Sequence, residues 1–122
     1  MRDLKLLALS PLRREPRAYE FIAFDTEGDG SEHGFRLAAT WDASGGRVFK
    51  RKKDLREYLF CHRHRDCRIL AANLEYDWSV AFQPFDHHHS ILLADGRWLR
   101  ATYRDNSDHT FPAWDIQRIT PL

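Results

Sequence analysis

No run of about 18 apolar residues occurs in the chain, so no segment reads as a membrane-spanning helix. Met1 to Leu9 is too short for a secretory leader, and no small-residue cleavage site follows it. Cysteine is scarce. Cys61 and Cys67 are too few to staple a secreted scaffold. Neither sign of charge predominates: 19 Lys and Arg against 18 Asp and Glu leave a formal net charge of +1 at pH 7. Any nucleic-acid surface must therefore be local. There is no internal repeat and no low-complexity tract. These absences lead us to expect a reduced, soluble, intracellular protein with no membrane partner. Nothing in the sequence indicates an oligomeric state.

What the chain does have is core material. Its 43% hydrophobic content includes eight Phe, four Trp and four Tyr, which exclude disorder, and 122 residues suit one domain. Residues 2–9 read as either a strand or one helical turn. Residues 1–19 then form an N-terminal strand or linker, leading into a domain over 20–122. Phe21 to Phe24 is a short apolar run of the kind that makes a buried strand. Phe35 to Trp41 and Arg47 to Lys50 read as two further strands around the Asp42–Gly46 loop. From Asp54 to about Arg65 the spacing of Leu55, Tyr58, Leu59 and His62 predicts a helix. Arg68 to Ala72 reads as a buried strand, and Trp78 to Phe82 as a short helix stopped by Pro84. Asp95-Gly96 joins strands over 90–94 and 97–103, and 109–116 makes a last strand, with Pro112 implying an edge or a bulge. The expected fold class is α/β, a mixed sheet flanked by helices with an added β-hairpin region in the C-terminal third.

The chemistry centres on carboxylates. Asp25 and Glu27 close the first strand, and residues two apart on a strand share a face. Two like charges so placed are most easily stabilised by a divalent cation, although acidic residues also end strands simply as turn formers. Asp77 lies just past the strand at 68–72, at a helix start, where an Asp also serves as an ordinary first-turn residue. If both strands belong to one sheet, three carboxylates converge at one edge. Such an oxygen donor set suits Mg²⁺ or Mn²⁺ rather than Zn²⁺.

Phe24-Asp25-Thr26-Glu27 resembles the first motif, Asp-x-Glu, of the DEDD 3′–5′ exonucleases, and Asn73-Leu74-Glu75-Tyr76-Asp77 resembles the second. The stretch from Gly96-Arg97-Trp98 to Trp114-Asp115 and on to Leu122 is similar to the hairpin and strand after the second motif in family B DNA polymerases of the protein-primed viral and plasmid type. The resemblance covers about residues 20–122. It implies a ribonuclease H-like fold and a metal-dependent proofreading-type 3′–5′ exonuclease acting on a single-stranded DNA 3′ end, with a polymerase domain downstream. It further implies that Asp25, Glu27 and Asp77 are catalytic metal ligands for Mg²⁺ or Mn²⁺, Asp25 bridging two ions. Asn73 and Tyr76 would contact the terminal nucleotides. The family often has a hydroxyl residue where this chain has Gly28, and the family's third motif is missing: His109 and Asp115 are six apart, where the histidine version uses five. We therefore expect a third motif beyond Leu122, in an amino-terminal fragment or a reduced homologue, and weak activity. The rival expectation is a non-catalytic nucleic-acid-binding or assembly module of the same fold.

Three other features carry less. Cys61, His62, His64 and Cys67 do not match zinc-finger spacing, so a core-facing Cys with solvated neighbours is the expectation. His87-His88-His89 reads as a loop or strand entry. The run Lys50-Arg51-Lys52-Lys53 suits either phosphates or a solvated helix start.

Overall fold

The computed structural model describes residues 20–31 and 34–119; the strand or linker expected over 1–19 lies outside them. In chain order the elements are β1 (Phe21–Gly28), β2 (Phe35–Asp42), β3 (Gly45–Phe49), α1 (Lys52–Leu59), a 3-10 turn at His62–His64, β4 (Arg68–Ala71), α2 (Leu74–Phe82), β5 (His89–Ala94), β6 (Arg97–Arg104), β7 (Thr110–Asp115) and α3 (Ile116–Ile119). The strands form one sheet of seven in the order β3-β2-β1-β4-β7-β6-β5. β1, β4 and β7 run parallel through its middle, while β2 and β3 on one side and β6 and β5 on the other add antiparallel pairs. This is the expected ribonuclease H-like mixed α/β sheet, widened by the β5–β6 hairpin. No helix among the described residues is long and apolar enough to cross a membrane.

Strand alternation decides where the core sits. In β1 Ile22, Phe24 and Thr26 are buried, whereas Phe21, Ala23, Asp25 and Glu27 face the other way and are exposed. Leu55 and Leu59 of α1 and Leu74, Trp78, Ala81 and Phe82 of α2 close over the buried face. Trp78 is fully buried, edge-on to Phe24 and Phe82, and its indole N–H donates to His89 Nδ1 at 3.2 Å. Burial holds the His89 pKa below its ordinary value, which favours the neutral ring that can accept this bond. Phe60 stacks on Tyr103 at 4.1 Å between ring centres and joins the helical layer to β6. The turn at Asp95-Gly96 has both residues left-handed, with φ of 56° and 75°, as a two-residue hairpin loop requires.

Three expectations need correction. The first helix stops at Leu59, not near Arg65, because Cys61 is extended (φ −74°, ψ 159°) and the chain turns inward. His64 is then buried, with Nδ1 2.7 Å from the Tyr58 carbonyl, and His62 is solvated. The second helix begins at Leu74 rather than Trp78, because the Asn73 side chain caps it. Pro112 lies in a strand interior to the sheet, not on an edge. It pairs with Thr102 of β6, while pairing with β4 starts only at Ala113, so it falls where a single side of β7 is laddered. In the basic run, Arg51 pairs with Asp54, Lys53 with Glu57, and Lys52 Nζ donates to the Gln83 carbonyl at 2.7 Å. The run is largely a solvated helix start.

Candidate functional site

The site grows from a mismatch in strand length. β1 spans 8 residues but pairs with the 4-residue β4 only from Phe21 to Ala23. Beyond Ala23 its β4-side edge is open, and every second N–H along it needs another acceptor. The start of α2 supplies two. The Thr26 N–H donates to Asp77 Oδ1 at 3.1 Å, and the Gly28 N–H donates to the Tyr76 hydroxyl at 3.2 Å. The Thr26 hydroxyl donates to the same Asp77 oxygen at 2.7 Å. The stretches at 25–28 and 73–77 are thus joined through the pairs Thr26–Asp77 and Gly28–Tyr76.

Asp77 is only 2% exposed. Burial raises its pKa above the usual carboxylate value, the Thr26 bonds oppose that rise, and the nearby Asp25 charge adds to it. Asp25 and Glu27 project from the exposed face of β1, and Glu27 pairs with Arg36 at 3.0 Å in a solvated contact. Asp25 and Asp77 are therefore near enough to feel one another. The three carboxylates are not drawn into one tight set, however. Among the described residues, the group of three whose ligand atoms all lie within 4.8 Å is instead Asp86, His87 and His88.

Asn73 and Tyr76 both serve the local structure. Asn73 Oδ1 accepts the Tyr76 N–H at 3.4 Å as the cap of α2. Tyr76 commits its hydroxyl to Gly28, yet the residue as a whole is 46% exposed. The two side chains line separate cavities of about 260 and 250 Å³, Tyr76 with Gly28 and Val80, Asn73 with Arg97 and Arg118. A Cβ at position 28 would stand 3.1 Å from the Gly34 carbonyl and 3.3 Å from the Tyr76 hydroxyl. The tyrosine hydroxyl thus fills the space that a hydroxyl-bearing residue at 28 would need.

Asp115 is buried at the end of β7, and its two oxygens accept the Leu74 and Gln117 N–H groups at 3.1 and 2.8 Å. It fixes the first turn of α2. Sequence reasoning missed this bracing role, and it missed Thr26 and Gly28. A residue between two motif carboxylates points to the opposite face, so face periodicity hides Thr26.

No protein-family model and no curated protein matches the chain by sequence. Among solved structures, phi29 DNA polymerase in complex with primer-template DNA and incoming nucleotides superposes with a TM-score of 0.64 over 89% of the chain. The likeness is one of fold. Sequence identity is 8%, and the chain spans 22% of that polymerase. Thr26, Gly28 and Asp115 therefore stand on the contacts of this chain alone.

Proposed function

We propose that the chain is a nucleic-acid-directed domain of the 3′–5′ exonuclease type, related to the proofreading part of a family B-like DNA polymerase and weakly active by itself. The observation that carries this reading is the direct bonding of Thr26 to Asp77 and of Gly28 to Tyr76 across the open edge of β1, which brings the Asp25–Glu27 stretch beside the start of α2. A fold likeness to a polymerase that holds DNA supports it.

The donor set fits a hard divalent ion, Mg²⁺ or Mn²⁺. Asp25, Glu27 and Asp77 offer only carboxylate oxygens, and a cation beside Asp77 offsets both its burial and the repulsion from Asp25. Such ions, when bound, supply an activated water and charge stabilisation for phosphodiester hydrolysis. In the chain's own part of the work, Thr26 orients Asp77 through two bonds, and Glu27, now paired with Arg36, would hold the ion together with Asp25 and Asp77. The exposed residue Tyr76 offers an aromatic face on which a terminal base stacks, and Asn73 lies one helical turn earlier.

A second reading, a binding module without turnover, is favoured by one specific observation. Asp115, the acid best placed in sequence to act as a fourth ligand, has both oxygens committed to backbone N–H groups. End-labelled single-stranded DNA with Mn²⁺, beside an Asp25→Ala control, separates the two. Slow release of mononucleotides that the control abolishes supports the enzyme; salt-sensitive binding without release supports the module. Digestion that survives in the control refutes the carboxylate assignment.

A further inference from the structure

We propose that Asp86, His87 and His88 form a site for a borderline transition-metal ion of the Zn²⁺ class, separate from the carboxylates of β1 and α2. Their ligand atoms already lie within 4.8 Å of one another. Ligands at about 2.0–2.2 Å from a tetrahedral zinc stand roughly 3.4 Å apart, so a modest contraction is needed. His87 is exposed, and the one ring contact described for it is with His88, at 4.0 Å, so its side chain is free to turn inward.

The other two ligands are held in advance. The Asp86 carboxylate is fixed by accepting the His88 N–H at 2.9 Å through Oδ1, which leaves Oδ2 available. The turn is closed by the His89 N–H donating to the Asp86 carbonyl at 3.1 Å. His88 is anchored from three sides. Its ring lies on Tyr103, its Nδ1 stands 3.2 Å from Asp86 Oδ1, and its Nε2 stands 2.8 Å from Asn106 Oδ1. That last contact points to metal chemistry. An amide oxygen can only accept, so Asn106 keeps the proton on Nε2. The Asp86 carboxylate, 3.2 Å from Nδ1, likewise only accepts, so in the metal-free protein that nitrogen also bears a proton, and an ion would take that proton's place between Nδ1 and Asp86. Metal-binding histidines are typically held in this way, by a hydrogen bond from the ring nitrogen that does not ligate. Two imidazoles and one carboxylate suit Zn²⁺ or its Co²⁺ substitute, whereas Mg²⁺ prefers an all-oxygen shell.

An ion there would stiffen the connection between α2 and β5, which His88 already ties to the β6–β7 turn through Asn106. The test is thermal melting of the whole chain with ZnCl₂, alongside the visible absorption of the Co²⁺ form. We expect Tm to rise with Zn²⁺ and a four-coordinate Co²⁺ band to appear. His87→Ala, at an exposed position, should keep the metal-free Tm and lose both signals. Asn106→Ala should weaken the affinity by about 10–100-fold. Asp25→Asn should leave both signals intact, so the outcome is independent of the nuclease reading. Absence of any shift under a large molar excess of Zn²⁺, or a shift that survives His87→Ala, overturns the site. A shift abolished by Cys61→Ser places the ion at Cys61 and His64 and overturns it as well.

Discussion

Replacing Thr26 with Val removes one hydroxyl and keeps the shape of the side chain, so it isolates a single bond to Asp77. That bond is 2.7 Å long, nearly dry, and aimed at a carboxylate that is 2% exposed. A hydrogen bond to a charged group contributes about 1.5–3 kcal/mol, against about 0.5–1.5 kcal/mol between neutral partners. Thr26→Val should therefore cost about 1.5–3 kcal/mol at pH 7. In an Asp77→Asn background, where the Thr26 N–H still has an amide oxygen to bond, the same change should cost about 1 kcal/mol. Acid should shrink the wild-type penalty in the same direction. The folded-state pKa of Asp77 is raised above 3.8. Its contribution to stability is thus fully present below that value and is lost as the pH rises through the higher folded value. Over that window Asp77 is protonated in the folded protein, and the Thr26 hydroxyl faces a neutral group. Urea unfolding of the four proteins in the cycle, at pH 7 and again near pH 4, measures all of this. Equal costs in both backgrounds, or no change with pH, would mean that Asp77 is not held as a buried charge by Thr26.

Three further outcomes follow from the same contacts. Asp25→Asn removes the charge that adds to the burial-driven rise of the Asp77 pKa, so it should increase Tm without metal and abolish the rise with Mg²⁺ or Mn²⁺; for wild type, an ion about 100-fold above its Kd adds about 2.7 kcal/mol. Asp115→Ala deprives the Leu74 and Gln117 N–H groups of their acceptor and should cost about 1–3 kcal/mol in urea unfolding while leaving the Mg²⁺ shift unchanged; a fourth ligand would alter that shift. Gly28→Ser brings a Cβ to 3.1 Å from the Gly34 carbonyl and should cost about 1–3 kcal/mol, read by the same unfolding titration.

Much of the architecture was legible because its elements follow short-range rules. The apolar runs at Phe21–Phe24 and 68–72 and the Asp95-Gly96 turn each named a strand or a turn that the structure has. The failures came where a longer-range contact overrode a local pattern. His62 continued the helical spacing, but the Tyr58 carbonyl captured His64 instead and drew the chain inward. Pro112 marked an edge by its chemistry, and only the staggered start of the β4–β7 ladder explains its interior place. At the site, the segments that meet were visible as motifs. The bonds that join them were not, because Thr26 reads as a core-face residue and Asp115 as an isolated acid. Thr26 finds its partner where strands of unequal length leave an N–H group over, and Asp115 where the first turns of α2 and α3 do.

Chain order and spatial order disagree at β7. It is the last of the described strands along the chain, yet it stands between β4 and β6. On the ribosome, the β5–β6 hairpin therefore emerges with no neighbour on its inner side, and the β1–β4 half ends in an open parallel edge. Both halves wait for residues 110–115. The first turn of α2, which presents Asp77, also lacks its Asp115 acceptor until then. Nascent chains stopped before Thr110 should hold two unjoined pieces with exposed strand edges, the kind of species that chaperones capture and that aggregates readily.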